Sequence, residues 1–215
     1  TRGRNTDVGM EGGFAPQMQS TIEAVECLIE AGQRLGLVAG KDFGLELDVG
    51  ASVLWHQENH GYVFKLDHAT YTHTDLQALW QTWIKQYPII SLEDPFAEDA
   101  WETWAQFMTD IHAEYPDVLV VGDDLFVTNR TRLAQGIEQK SANAVIVKPN
   151  QIGTLSETLA FVSDARAAQM KVIVSHRSGE TCDDWIADLA VGVDADYVKF
   201  GGPCRGERVA KYNRL

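Results

Sequence analysis

Apolar and polar positions alternate along the chain with two recurring periods. Ile22, Val25 and Ile29 fall on one helical face and predict a helix between Gln17 and Gly36, with Ser20 and Glu23 as a capping box. Phe43, Leu45 and Leu47 alternate with polar residues and predict a strand ending at Asp48. Asn59, His60 and Gly61, set between aromatic residues, predict a small β excursion over residues 53–68. A helix carrying Leu76, Leu79, Trp80, Trp83 and Ile84 follows, and then an apolar strand, YPIISLEDP, ends on Glu93 and Asp94 where Pro95 stops the ladder.

The pattern then repeats. Trp101, Trp104, Ala105 and Met108 mark an apolar helix stripe of the kind that packs a core. VLVVGDD is a strand ending on Asp123 and Asp124, and a helix is predicted from Arg130 to Gln139. AVIVKPNQIG, Ala144 to Gly153, delivers Lys148 to the end of a buried strand, and Thr154 with Glu157 caps the helix after it. KVIVSHR ends at Ser175, His176 and Arg177, a helix is predicted from Thr181 to about Val193, and DYVKFGG ends at Lys199. Six strands, each followed by a helix or a helical signal, imply a parallel sheet joined by right-handed crossovers. Neither GxGxxG nor a Walker sequence follows the first strand, so a (β/α) TIM-type barrel is preferred to a doubly wound sheet.

Composition narrows the function classes. With 215 residues, 45% of them hydrophobic and six of them Trp, the chain is long enough for one domain with a substantial core. Its formal net charge of -13 argues against nucleic acid or an anionic membrane as partner, since both require a basic face. A small anionic substrate is compatible with that charge if divalent cations invert the local field. Cys27, Cys182 and Cys204 show no ligand spacing and read as reduced structural thiols. The chain has no apolar run long enough for a membrane span, and its opening residues lack the apolar stretch of a signal peptide; a cytoplasmic protein is expected.

Chemistry-bearing residues gather at the strand ends, where barrels build their sites. Asp48, Glu93 and Asp123 come from three consecutive strands, followed by Lys148, by His176 with Arg177, and by Lys199. Each carboxylate taken singly is most often a helix cap or one arm of a salt bridge. Three converging in register repel one another without a cation, and one or two Mg²⁺ ions take such oxygen ligands readily. Lys148 is either a solvated strand end, a partner of the acids, or, where metal charge favours the neutral amine, a general base. His176, Arg177 and Ser178 suit a phosphate, and the alternative is that His176 and Arg177 pair with the acids.

The motifs GMEGGFAP, LELDVGAS, SLEDPF, VVGDDLFVTN, VIVKPNQIGT, VSHRSGETCDDWIADLAVG and CRGERVAKYN carry a resemblance. In this order, over nearly the whole chain, they are similar to the carboxyl-terminal part of enolase, the phosphopyruvate hydratase of glycolysis, and SHRSGET is the most specific of them. The resemblance implies six of the eight strands of an enolase-superfamily barrel, incomplete at its amino-terminal side and without the small capping domain. It also implies reversible dehydration of 2-phosphoglycerate to phosphoenolpyruvate, with Asp48, Glu93 and Asp123 binding Mg²⁺. By the same resemblance Lys148 takes the C2 proton, as bases of enolase-superfamily sites are known to do beside Mg²⁺. Glu11 is the acid for the departing hydroxyl, Arg177 and Ser178 hold the phosphate, His176 lines the site, and Lys199 meets the substrate carboxylate. A homodimer is implied for the full-length protein, and the isolated chain is expected to be weakly active or inactive.

Met10, Val53 and Phe200 stand where enolases commonly have Asp, Glu and Thr. They support the alternative of a truncated or inactive paralog that serves as a binding or assembly protein. Another acid-sugar dehydratase on the same scaffold is the weakest reading, given SHRSGET.

Overall fold

The computed structural model describes residues 3–215. The chain forms two compact units, one of Met18–Leu125 with Gln135–Asn143, the other of Thr1–Gln17, Phe126–Ala134 and Ala144–Leu215.

The first unit runs through α1 (Ile22–Arg34), β1 (Leu45–Asp48), the short strands β2 (Trp55–His56), β3 (Gly61–Phe64) and β4 (Ala69–Tyr71), α2 (His73–Gln86), β5 (Ile89–Glu93), α3 (Trp101–Glu114) and β6 (Leu119–Gly122). Strands β1, β5 and β6 are parallel and adjacent in that order, whereas β2, β3 and β4 form the expected antiparallel excursion. That excursion turns at His60 in the left-handed region, and Gly61 follows because a Cβ there would come within 2.9 Å of the Tyr71 carbonyl oxygen.

Leu76, Trp80, Leu92, Phe96, Trp104, Phe107 and Val120 fill its core. Two buried indoles are each worth about 4–6 kcal/mol of apolar burial, and both have a polar task. Trp80 Nε1 donates to the Pro95 carbonyl at 3.1 Å and Trp104 Nε1 to the Ala97 carbonyl at 3.0 Å, which pins the loop after β5. Helix α2 carries a capping box of Thr72 and Asp75.

The box expected at Ser20 and Glu23 does not form. Thr21 is the N-cap of α1 without a side-chain cap, its hydroxyl and N–H go to Asp67, and Glu23 accepts instead from the Gln19 N–H at 2.7 Å. The competing acceptor, Asp67, comes from a loop distant in sequence.

Helix α4 (Arg130–Gln139) has residues in both units. The second unit continues with β7 (Ala144–Val147), α5 (Pro149–Ile152), α6 (Leu155–Ala167), β8 (Lys171–Ser175), α7 (Trp185–Gly192), β9 (Tyr197–Lys199) and α8 (Gly206–Arg214). Strands β7, β8 and β9 are parallel, and Thr154 caps α6 as expected by accepting the Glu157 N–H at 3.2 Å. Helix α7, expected from Thr181, begins at Trp185, because the carbonyls of Thr181 and Asp183 accept from Lys211 and the Thr181 and Asp183 side chains accept N–H groups of the same turn. Each unit thus shows parallel strands linked through helices, the α/β pattern read from the sequence.

Candidate active site

In the first unit the register of the parallel ladder sets Asp48 and Glu93 at one level, with Asp123 further along. Asp48 pairs with Glu93, and Glu93 with Val121, two residues before Asp123. Asp48 and Glu93 are the last residues of their strands and lie side by side, and Asp123 follows directly on β6. Past the strands the backbone pairing persists: the Val49 N–H donates to the Glu93 carbonyl, and the Asp94 N–H to the Val121 carbonyl at 3.0 Å. Asp48 is exposed, Glu93 fully buried and Asp123 6% exposed.

Asp94 has a part that sequence reasoning did not give it. Its backbone is left-handed, φ 43°, and its carboxylate is turned onto the next strand end, where Oδ1 accepts the Asp123 N–H at 3.0 Å and Oδ2 the Asp124 N–H at 2.8 Å. Burial pushes its carboxyl up to about 7, with the Asp123 and Asp124 charges adding to the rise and the two backbone N–H groups opposing it. Asp94, Asp123 and Asp124 each present a carboxylate oxygen within 4.8 Å of the others. An all-oxygen set of this spacing fits a hard divalent cation. The signal for Asp94 was its place beside Glu93 before Pro95, but a bidentate clamp on the next strand is a tertiary contact that no local pattern shows.

In the second unit a comparable level forms at the ends of β7, β8 and β9. Val147 pairs with Val174 and Ser175 with Lys199, so Lys148 follows one step beyond a paired position. The Lys148 N–H donates to Thr128 Oγ1 at 2.9 Å, whose hydroxyl donates to Gln151 Oε1. The His176 N–H donates to the Lys199 carbonyl at 2.9 Å, which carries the β8–β9 pairing one residue past Ser175. Arg177 reaches Asn150 Oδ1 from Nη1 at 3.0 Å. Ser178 donates to Glu11 Oε1 at 2.7 Å, and Glu11 Oε2 lies 3.6 Å from His176 Nε2. The structure therefore brings Glu11, His176 and Ser178 together, with Arg177 and Lys199 on adjoining residues.

Burial works against ionisation of Glu11, but the Ser178 hydrogen bond and the neighbouring His176, Lys199 and Arg208 outweigh it and hold the carboxyl below its usual range. His176 is pushed down to about 4, chiefly by burial, with Glu11 opposing and with Arg208 and Lys199 adding to the fall. The ring is neutral at physiological pH.

What holds this cluster is a buried cation that sequence reasoning overlooked. Arg208, on α8, is fully buried. Its Nη1 reaches His176 Nδ1 at 2.7 Å and donates to the Arg177 carbonyl at 2.7 Å, while Nη2 donates to the carbonyls of Met10 at 2.9 Å and Ser178 at 2.7 Å. One turn on, buried Lys211 donates to the carbonyls of Thr181, Asp183 and Glu207, each at 2.9 Å, and pairs with Glu180 at 2.9 Å. The segment carrying Glu11 is seated by backbone contact as well. The Gly202 N–H donates to the Glu11 carbonyl at 2.7 Å, and a Cβ on Gly202 would lie 2.2 Å from the Gly12 carbonyl oxygen.

Met10, the departure expected to loosen Glu11, turns its side chain to solvent and contributes only its carbonyl, to Arg208. Val53 is also exposed, whereas Phe200 is fully buried against Tyr212. The three cysteines are unpaired, with Cys182 and Cys204 exposed rather than packed. Among the described residues no helix is long and apolar enough to cross a membrane. A family model described as "Enolase, C-terminal TIM barrel domain" matches residues 1–215.

Proposed function

The chain belongs to the enolase C-terminal TIM-barrel family, and from that premise we propose that it carries the active-site residues for reversible dehydration of 2-phosphoglycerate to phosphoenolpyruvate. Membership makes it part of an α/β barrel superfamily of lyase-type enzymes. The observation that carries the specific reaction is the register. Asp48 and Glu93 stand opposite one another at the ends of their strands, as do Ser175 and Lys199, and Asp123 and Lys148 follow directly on theirs.

In this reading Asp48, Glu93 and Asp123 hold Mg²⁺, with Asp94 fixing the turn that presents Asp123. The bound cation supplies charge stabilisation for the deprotonated substrate carboxylate. Lys148 removes the C2 proton, and Lys199 meets the substrate carboxylate. Arg177 and Ser178 hold the phosphate. Glu11 assists departure of the C3 hydroxyl; at rest it is a carboxylate, and an anionic substrate beside it raises its pKa toward the protonated form this role needs. His176 lines the substrate site beside Glu11 and Ser178. The reading extends to a cytoplasmic setting and a homodimer in the intact protein.

Lys148→Ala tests it. In the intact protein with Mg²⁺, 2-phosphoglycerate turnover should fall by about 10²–10⁴-fold, together with the exchange of the C2 proton for deuterium. Unchanged turnover and exchange would remove Lys148 from the chemistry, and a wild-type protein that binds 2-phosphoglycerate without turnover would favour the non-catalytic binding role.

A further inference from the structure

We infer that Arg208 is a positioning residue that fixes His176 as a neutral imidazole with its proton on Nε2, so that His176 serves the site as a hydrogen-bond donor to an anionic oxygen and not as a proton shuttle. A guanidinium has donors and no acceptor. At 2.7 Å from Arg208 Nη1, His176 Nδ1 must therefore be the accepting, unprotonated nitrogen. The remaining proton of the neutral ring belongs to Nε2, the nitrogen nearest Glu11 Oε2 at 3.6 Å.

Arg208 has little freedom to do otherwise. All four terminal N–H groups are committed, one to Nδ1 and three to the carbonyls of Arg177, Ser178 and Met10, and only Nε lacks a partner. The guanidinium is fully buried and planar, so its fork sets the plane of the ring as well as its tautomer. The charged groups bearing on His176 are Glu11, Arg208, Lys199 and Glu180, and burial together with the two cations keeps the ring from charging near neutral pH. The same fork ties the His176–Ser178 strand end to the segment carrying Glu11, so one side chain sets three of the proposed substrate-site residues at once. The anion this donor would meet rests on the 2-phosphoglycerate reading; the tautomer does not.

The test is a long-range ¹H–¹⁵N correlation spectrum of the histidine-labelled chain. In the wild type at neutral pH, His176 should show one tautomer, with Nδ1 unprotonated and Nε2 protonated, and no protonation until well below pH 6. A proton on Nδ1, or an averaged pair of tautomers, would overturn the inference, and this needs no variant. In Arg208→Met the ring should lose its single tautomer and its protonation midpoint should rise; retention of the wild-type pattern in a folded variant would overturn the assignment to Arg208. Neither readout passes through turnover, so failure of the dehydration reading and failure of this inference are distinguishable.

Discussion

The two units present their chemistry by opposite electrostatic means. In the first, a buried carboxylate, Asp94, turns inward and accepts two backbone N–H groups of the next strand end. In the second, buried cations on α8, Arg208 and Lys211, donate to five carbonyls of the loops that carry Glu11, Arg177, Ser178 and the run to Asp183. In both, the clamp holds turns that carry proposed site residues, Asp123 in the first and Glu11, Arg177 and Ser178 in the second, and the backbone groups of those turns need partners. A buried charge of the matching sign satisfies them, which is a condition for an irregular turn to be rigid. The units differ in how much each clamp holds: Asp94 organises one turn, whereas α8 organises two loops.

That difference predicts a ranking. Removing a cation from α8 should do the most damage, since each leaves several carbonyls unsatisfied. Arg208→Met or Lys211→Met is expected to cost about 3–5 kcal/mol, read as a lower midpoint in urea at neutral pH, and a loss under about 1 kcal/mol would end the comparison. Asp94→Asn comes next. An amide offers one oxygen to two N–H groups, so a loss of about 1–3 kcal/mol is expected, with weaker Mg²⁺ binding by calorimetry; unchanged stability would reduce Asp94 to a bystander. The smallest effect is on pH dependence. Burial lowers His176 from the ordinary histidine value of 6.5 to about 4, so between these the unfolded chain binds the proton and the native state does not. Its contribution is complete above pH 6.5 and is lost as pH falls toward 4. His176→Gln should flatten that part of the stability profile by about one proton, and an unaltered slope would place the titration elsewhere.

Much of the fold was legible because its elements are strongly periodic. Strands that end at, or one residue before, Asp48, Glu93, Asp123, Lys148, His176 and Lys199 followed from apolar runs stopped by Pro, Gly or charge, and helix α4 has the limits its sequence suggests. What escaped was long-range. Arg208 and Lys211 lie in GERVAKYNR, a segment whose composition reads as a solvated helix, and charged residues are seldom buried unless paired. Their partners are backbone carbonyls far away in sequence, which no spacing rule weighs. The late start of α7 has the same origin, since Lys211 takes the carbonyls that an earlier first turn would have used. At Asp94 the residue was visible as a strand terminus, but its task belongs to the strand after it.

The seating of Glu11 fixes the order in which the site can be assembled. Its partner Ser178 is 167 positions away along the chain, and the Met10 carbonyl meets Arg208 across 198. Closing so long a loop carries an entropic cost that is recovered only when both ends have somewhere to dock. The docking surface for Met10 and Glu11 is made of the turn after β8, the Gly202 backbone and Arg208 of α8, so a growing chain cannot seat Glu11 until it has been made through Arg208. Glu11, which precedes every other proposed site residue in the sequence, thus depends for its seat on segments that follow all of them.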